Sequence, residues 1–245
     1  MEKMFRVITT CYNAGEYIER CLKSLQGQKR QDWVCYVLDD LSDDNSRDIV
    51  SKMAWNDDRI RLTTNTKKTY QVGNYNKIMA RGDIDDDDIC LTLDGDDWLP
   101  DDEVLDRLAE AYQNGAWITY GQFLQWDGNS FQPGFAQNPP IWNELRKLRY
   151  TTTHLRSWKA FLWRKIKDAD LRRDNGNVIK AGGDTAFMYP MLEMAGPYRS
   201  VYIPHFMYVY NVKTPDNVHK HSLAEQHETA NEIRNRTPYE QIPYK

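Results

Sequence analysis

The stretch "LTLDGDDWLPDD", residues 91–102, runs an apolar strand directly into a group of carboxylates. Asp94, Asp96 and Asp97 fall within four positions of one another. Neighbouring carboxylates repel, so stability alone gives no reason to collect them where a buried strand ends. A cation bound at this point would relieve the repulsion. The stretch therefore predicts a strand that carries a cation site at its carboxyl end.

Three more apolar runs lie on the amino-terminal side of this strand. They are "MFRVITT" from residue 4, "WVCYVLDD" from residue 33 and "RIRLTTN" from residue 59, and a helical pattern follows each of the four runs. Apolar strands without alternation, each followed by an amphipathic helix, are typical of a parallel sheet covered on both faces. Such sheets bind ligands at the carboxyl ends of their strands, where "TTCYN", "DDLSDDN" and "DGDD" all fall. We therefore expect an α/β fold with a Rossmann-like, mostly parallel sheet.

Capping residues predict where several helices begin and end. Asn13, followed three residues later by Glu16, predicts a capping box for the first helix. Ser42, followed by acids, predicts the start of the second. Pro100 and Gly115 predict the two ends of the fourth helix. The apolar face of the first helix would consist of Ile18, Cys21, Leu22 and Leu25.

The pattern changes after about residue 116. "AWITYGQFLQWDGNSF" predicts a hairpin-like pair of strands, "MYPMLEMAG" a helix and "VYIPHFMYVYN" two short strands. The segment around "HLRSW" fits an Arg-rich amphipathic helix as well as it fits a ligand contact, and the tail "SLAEQHETANEIRNR" predicts a polar helix. No linker rich in Gly, Ser or Pro separates the two halves. We therefore expect one domain over residues 1–245, with a ligand half at 1–115 and a second-substrate half with a tail at 116–245.

Composition limits the function classes. Lys and Arg total 32 and Asp and Glu total 36, which gives a net charge of −4 and argues against a nucleic-acid partner. The four cysteines lie in apolar segments without a metal-ligand spacing, as is typical of a reducing compartment. No signal peptide and no apolar window long enough for a membrane span are present. We therefore expect a soluble, cytoplasmic protein, whose oligomeric state the sequence leaves open.

Four blocks together resemble the family 2 glycosyltransferases of the GT-A fold over nearly the whole chain. They are "VITTCYNAGEYIERCLKSLQGQ", "YVLDDLSDDNS", "LTLDGDDWLPDD" and "GGDTAFMYPMLEMAG", in the family's order and spacing. The resemblance implies a hexosyltransferase-type enzyme with a nucleotide-sugar donor, a divalent metal and inversion at the anomeric carbon. The acceptor would be a hydroxyl of a glycan or another molecule. This chain departs from the family in one place, since Gly183 stands where an acid usually precedes Asp184.

The resemblance also implies which residues hold the metal. A sugar diphosphate is anionic, so carboxylates beside it make sense only with Mg²⁺ or Mn²⁺ between them, and oxygen ligands suit both ions. Asp96 would hold the metal and Asp94 would face the ribose or the donor sugar. Asp97 would be a second ligand or an acceptor behind the first. His219 or His221, in a segment that closes over the donor in many relatives, could complete the metal shell.

Other residues match the family's nucleoside and donor contacts. Thr10 and Tyr12 match positions that line the base, the ring by stacking on it. Asp40, with Asp39 behind it, matches the acid that accepts the uracil imide proton, which favours a UDP-sugar and does not eliminate a GDP-sugar. The alternative is that these acids cap the next helix. Further predicted contacts to the donor sugar, the phosphates or the acceptor are Asn13, Asn74, His154 and Arg156.

Asp184 is the predicted general base. Inversion requires the acceptor to attack opposite the leaving group, so the proton acceptor must stand across the site from the metal. Asp184 opens a helix where the family has its base; the alternative is a simple helix cap.

Two other functions compete with this prediction. A nucleotidyltransferase would need a Gly-rich, basic loop after the first strand, which "TTCYNAGEY" lacks. A non-catalytic carbohydrate- or Ca²⁺-binding module would need neither Asp184 nor a nucleotide pocket.

Overall fold

The first half of the chain forms the parallel part of one sheet. The structure is a computed structural model that describes residues 4–214 and 223–243. Four parallel strands lie in the order β3-β2-β1-β4. Their side chains are buried almost throughout β1, β2 and β4, which explains why these runs are apolar without alternation. The strands are β1 Phe5–Cys11, β2 Trp33–Asp39, β3 Ile60–Thr64 and β4 Ile89–Thr92.

Helices follow these strands and cover both faces of the sheet. Adjacent side chains of β1 point to opposite cores: Val7 packs with the residues of α1 and α4, and Ile8 packs with those of α3. The predicted apolar face of α1 is confirmed, because all four of its residues are fully buried. The helices are α1 Ile18–Gln26, α2 Ser46–Asn56, α3 Tyr70–Met79 and α4 Val104–Gln113.

The predicted starts of the first two helices are wrong. Asn13 has a φ of 48° and its side chain accepts a hydrogen bond from the backbone of Asp43, so it does not cap α1. Ser42 accepts a bond from the backbone of Asn13 instead of capping α2. The residues that resembled caps join the β1–α1 loop to the β2–α2 loop, a contact that local spacing does not reveal.

The second half extends the same sheet with strands of both directions. β7 lies antiparallel between β4 and β5, and β8 is parallel to β5. The predicted hairpin is confirmed as β5 and β6, whereas the two short strands expected near the end form the single strand β8. Of the two alternatives left open for "HLRSW", the amphipathic helix is wrong, because this segment leads into β7. The strands are β5 Ile118–Trp126, β6 Phe131–Pro133, β7 Ser157–Lys159 and β8 Ser200–Asn211.

Three helices and two 3-10 turns complete the described part of the second half. The helix expected after "GGDTA" is confirmed as α6, and the polar tail forms α7. One sheet thus runs through both halves of a single α/β domain. The helices are α5 Ala160–Arg164, α6 Asp184–Ala195 and α7 Leu223–Asn235, and the 3-10 turns are Trp142–Lys147 and Asp168–Leu171.

The direction of β7 matters for the site. Because β7 is antiparallel to β4, its amino-terminal end lies at the carboxyl end of β4. The backbone N–H of Thr92 donates to the carbonyl oxygen of Arg156 at 3.2 Å, so Arg156 stands beside the last residue of β4. The antiparallel strand therefore brings a residue of the second half to the edge where the sequence predicts the site.

The cysteines lie in the core, as the sequence predicts. Cys11, Cys21, Cys35 and Cys90 are all buried and free. Over residues 4–214 and 223–243, none of the helices has the length and apolar character that a membrane crossing requires. The cytoplasmic location stays a prediction.

Candidate active site

The acid group after β4 sits on a turn that lies against β1. β4 ends at Thr92, so the spacing of Asp94 and Asp96 is set by the turn and not by strand alternation. The backbone N–H of Gly95 donates to the carbonyl oxygen of Thr10 at 2.9 Å. A Cβ at Gly95 would come within 3.0 Å of that same oxygen, so glycine permits the close approach.

Asp94 is held by residues from β1 and α3. One oxygen, Oδ1, accepts hydrogen bonds from the hydroxyls of Thr10 at 3.0 Å and Tyr75 at 3.3 Å. Burial raises the pKa of Asp94; the guanidinium of Arg156 opposes this shift, and the carboxylate of Asp184 adds to it. The structure therefore brings Asp94 close to two residues of the second half that the sequence also singled out.

Asp97 points away from the turn and into the protein. Its Oδ1 accepts the backbone N–H of Asn211 at 2.7 Å and its Oδ2 accepts the hydroxyl of Tyr208 at 2.7 Å. The side chain is buried, which raises its pKa well above the usual range. Of the two roles predicted for Asp97, this arrangement favours an acceptor that anchors the turn to β8 over a second metal ligand.

Asp96, like Asp94, is half-buried. Its pKa is raised to about 6, first by burial and then by the charge of Asp94. Two repelling carboxylates made of hard oxygen donors fit Mg²⁺ or Mn²⁺, which binds one or two carboxylates and takes its other ligands from substrate phosphates and water. The described residues contain no group of three or more acid, histidine or cysteine side chains that could hold an ion alone. His219 and His221 lie outside the described residues.

The predicted base-binding position at Tyr12 has a basic neighbour. Tyr12 follows β1 and is 43% exposed. The Nζ of Lys68 lies 2.7 Å from the centroid of its ring and donates to the backbone oxygen of Asp40 at 2.9 Å. A cation over an aromatic face is attracted by the ring quadrupole. Lys68 therefore joins the predicted aromatic and acidic positions, and the sequence analysis missed it.

The side chain of Asp40 is buried and accepts hydrogen bonds from the start of α3. Its Oδ1 accepts from the side-chain amide of Asn65 at 2.7 Å and from the backbone of Thr69 at 2.8 Å. Its Oδ2 accepts from the backbone of Tyr70 at 2.8 Å. Asp40 therefore does cap a helix, which was the alternative weighed in the sequence analysis. The capped helix is α3, however, and not α2, the next helix in the chain. A carboxylate has about four lone-pair positions, so about one remains at Oδ2.

Asp39 and Asn74 lie in the protein interior next to Asp40. Both are buried; Asp39 accepts the backbone N–H of Ser42 at 3.4 Å, and Asn74 accepts the side-chain amide of Asn65 at 2.7 Å. Among the described residues, Asp39 Oδ1 and Asn74 Nδ2 have no hydrogen-bond partner. Asn65 also accepts from Lys77 at 2.6 Å and so links the network. The polar run "NTKKT" at the end of β3 was the signal that could have located it.

Asp184 and Arg156 form an ion pair near the acidic turn. Arg156 Nη2 donates to Asp184 Oδ2 at 2.6 Å. The arginine side chain is 2% exposed and that of Asp184 is 31% exposed. In the part of the chain that the structure describes, Nε and Nη1 of Arg156 and Oδ1 of Asp184 have no hydrogen-bond partner. The arginine of the pair is therefore buried, and both residues have polar atoms that make no hydrogen bond within the described residues.

The charges of these groups act on one another. Burial lowers the pKa of Arg156, but the charges of Asp184, Tyr150, Tyr75 and Asp94 oppose this, and the net pKa is raised. Burial and the charges of Asp94 and Asp184 likewise raise the pKa of Tyr75. The acidic turn and Asp184 are thus close enough for their charges to act on Tyr75 and Arg156 together.

His154 and Asn13 contact other parts of the protein in ways that the sequence did not indicate. The ring of His154 stacks on Tyr208, with centroids 4.7 Å apart, and on Tyr210 at 5.4 Å. Tyr208 in turn bonds Asp97, so His154 supports the residues beneath the acidic turn. Asn13 joins two loops, as described above. Contacts of either residue with a donor stay predictions.

Asp184 is the first residue of α6 and does not bond its amino end. The carboxylate accepts from Arg156 alone among the hydrogen bonds of the described residues, and no side-chain bond caps this helix. The simple cap weighed in the sequence analysis is therefore not the arrangement found.

The chain belongs to glycosyl transferase family 2, whose model matches residues 6–172. The glycosyltransferase GlyG of Streptococcus pneumoniae serotype 4 is 23% identical over 129 residues, which cover 52% of this chain and 41% of that relative. The match therefore covers less than half the length of the curated relative.

Solved structures share the fold. TarS of S. aureus, residues 1–349 in complex with UDP, is similar with a TM-score of 0.67 at 18% identity, covering 94% of this chain and 64% of that one. The mannosyltransferase PcManGT of Pyrobaculum calidifontis, in complex with GDP-Man and Mn²⁺, has a TM-score of 0.58 at 17% identity, covering 98% and 66%. The predicted GT-A fold is thereby confirmed.

Proposed function

We propose that this glycosyltransferase moves a sugar from a UDP-sugar to a hydroxyl of a glycan or another acceptor, with inversion and with Mn²⁺ or Mg²⁺. The observation that carries the proposal is that Asp94, on the acidic turn after β4, lies close enough to Asp184 and its partner Arg156 for their charges to act on it. Residues 1–115 would bind the donor and residues 116–245 the acceptor.

The nucleoside would lie over the ends of β1 and β2. Tyr12 is exposed enough to stack on a base, and Thr10 lies beside it at the end of β1. The remaining lone pair of Asp40 is one acceptor for the imide N–H of uracil. Solved structures of the same fold hold UDP, UDP-GlcNAc and GDP-Man, which supports a nucleotide-sugar donor; a GDP-sugar is the less favoured alternative.

Asp96 would be the protein's metal ligand, with Asp97 anchoring the turn behind it. Asp94, held by Thr10 and Tyr75, would orient the ribose or the donor sugar. When bound, the metal would supply positive charge that stabilises the departing diphosphate. The roles of His219 and His221 stay predictions.

Asp184 would accept the proton of the acceptor hydroxyl. The hydroxyl oxygen attacks the anomeric carbon from the face opposite the diphosphate, and the bond from that carbon to the phosphate oxygen breaks. Its electron pair leaves with UDP, and the configuration inverts. General-base catalysis of this kind contributes roughly 10²–10⁴-fold to the rate.

The β1–α1 loop argues against a nucleotidyltransferase. A triphosphate loop offers its backbone N–H groups to phosphates. Here the N–H groups of Asn13, Ala14 and Gly15 already donate to Ser42, Ser46 and Asp44 of the neighbouring loop. A non-catalytic module would have no use for Asp184 and its buried arginine.

The test is UDP binding with and without Mn²⁺, measured by calorimetry on the wild type and on Asp96→Ala. We expect wild-type affinity for UDP to rise with Mn²⁺ and the affinity of Asp96→Ala to lose that response. The matched control is Asp102→Ala, because Asp102 is an exposed acid of the same stretch. A metal response that survives in Asp96→Ala contradicts the assignment.

A further inference from the structure

Arg156 has a partner that the sequence did not indicate. The sequence predicts a contact with the diphosphate or the acceptor, whereas the guanidinium bonds Asp184. We propose that Arg156 is a positioning residue for the general base, which holds the Asp184 carboxylate in one orientation toward the acceptor hydroxyl. The proposal rests on the proposed function, in which Asp184 takes the proton.

The sheet holds Arg156 rigidly in place. Its carbonyl oxygen bonds the backbone of Thr92, and Ser157 beside it pairs with Leu91 of β4. The side chain is fully buried, near the hydroxyls of Tyr75 and Tyr150. A buried side chain fixed at a strand end has few alternative rotamers, so its Nη2 presents a defined hydrogen-bond direction to Asp184.

No other side chain shares this task within the described residues. Arg156 is the sole hydrogen-bond donor to the Asp184 carboxylate there. The preceding position is Gly183, and a Cβ added to it would come within 2.4 Å of Val72 Cγ2. Because the side chain of Val72 in α3 occupies that space, an acid or amide at position 183 would require α3 to shift, and Gly183 itself offers no side chain to the base. The orientation of Asp184 therefore depends on Arg156.

The two carboxylate oxygens of Asp184 have different environments. Oδ1 is covered by protein, although the side chain as a whole is 31% exposed. The exposed part of the carboxylate is thus on the Oδ2 side. Arg156 takes one lone pair of Oδ2 and leaves the other for the incoming proton. A misplacement of about 1 Å in a reacting group can cost up to about 10²-fold in rate, so loss of this contact should reduce turnover.

The experiment compares Arg156→Met and Arg156→Lys with the wild type. UDP release from UDP-sugars is followed with water as the acceptor, and UDP affinity is measured with Mn²⁺ present. For Arg156→Met we expect kcat to fall about 10- to 100-fold, while donor KM and UDP affinity stay within about twofold of wild type. Arg156→Lys keeps the charge and should recover part of the loss.

A double variant tests whether the arginine acts through the base. Residues that act as a unit give non-additive losses, so Arg156→Met should cause no further loss in an Asp184→Asn background. The control is Arg146→Met, because Arg146 is another buried arginine that bonds a carboxylate of α6. It should lower stability without changing donor KM or the kcat measured well below its unfolding temperature.

Three outcomes overturn the proposal. A large loss of UDP affinity in Arg156→Met would assign Arg156 to the diphosphate. Losses that multiply in the double variant would show that it acts independently of Asp184. If Asp184→Asn is strongly impaired while Arg156→Met is unimpaired, only the positioning role fails; an active Asp184→Asn would instead remove the base from the proposed function.

Discussion

Two buried arginines hold the two ends of helix α6, and their hydrogen bonding differs. Arg146 bonds Glu193 through two nitrogens, at 2.6 and 2.8 Å, and its third nitrogen donates to the carbonyl oxygen of Ile233. Glu193 also accepts the backbone N–H of Tyr239 at 2.9 Å. Arg156 makes one bond to Asp184 and has two nitrogens without a partner in the described residues.

The difference separates a structural pair from a functional one. Buried polar groups in folded proteins are nearly always bonded, because each unmet donor or acceptor costs about 1–3 kcal/mol. The pair at Glu193 meets this requirement within the protein and joins α6 to α7. The pair at Asp184 does not meet it within the described residues, and unmet buried groups of this kind are often found at functional sites. The predictions below test this distinction.

The largest effect should come from Asp184→Asn. Asparagine keeps the shape but cannot accept the proton, so turnover should fall by roughly 10²–10⁴-fold. Burial of Arg156 adds a second expectation, since the variant leaves the guanidinium without its anion and should also unfold more easily. Turnover and product configuration are measured well below the unfolding temperature, with UDP affinity in Mn²⁺ as the check on folding. Near wild-type turnover, or a product with retained configuration, would contradict the mechanism.

Arg146→Met should produce the opposite pattern. Removing one partner of a buried ion pair leaves Glu193 uncompensated, and the free energy of unfolding should fall by about 3–5 kcal/mol. Urea denaturation measures this loss, and UDP affinity should not change at a permissive temperature. If UDP affinity falls while stability is kept, the proposed separation of the two ends of α6 is wrong.

Asp40→Asn tests a residue that is both well bonded and predicted to bind. The loss of a charged acceptor should weaken UDP by about tenfold to a hundredfold, as expected for a bond worth roughly 1.5–3 kcal/mol. Its bonds to the start of α3 also predict a fall in stability of about 1 kcal/mol. Calorimetry and denaturation of the same sample separate the effects. Equal UDP affinity with reduced stability would place Asp40 in the structural class with Glu193.

The smallest effect concerns a complete ion pair far from the site. Arg59 bonds both oxygens of Asp57, at 2.9 and 2.7 Å, and these hydrogen bonds outweigh burial and lower the pKa of Asp57 to about 2. The folded pKa lies below the unfolded one, so this stabilisation is present above about pH 4 and is lost as the pH falls toward 2.

The stability difference between wild type and Asp57→Asn should therefore shrink by about 1 kcal/mol between pH 6 and pH 3. Urea unfolding at the two pH values measures it. A difference that does not change with pH would mean that the pair adds nothing to stability.

The local patterns predicted much of the fold and part of the site. The four strand–helix units, the buried face of α1, the hairpin and α6 all follow from apolar periodicity, which needs only near neighbours in sequence. The helix starts at Asn13 and Ser42 were wrong, because these side chains bond each other's loops across 29 residues. β7 was missed because three residues are too short for a periodic signal.

The sequence by itself determined the sheet's first four strands and the acids at their carboxyl ends. The strands follow from the hydrophobic pattern, and the acids follow directly after the strands in the chain. Only the tertiary structure decided what each acid does. It turned Asp97 toward Asn211, 114 residues away, and it placed Arg156 on Asp184 through the antiparallel course of β7. Such contacts depend on how distant segments pack, and no spacing along the chain encodes a partner that packing alone brings within hydrogen-bond distance.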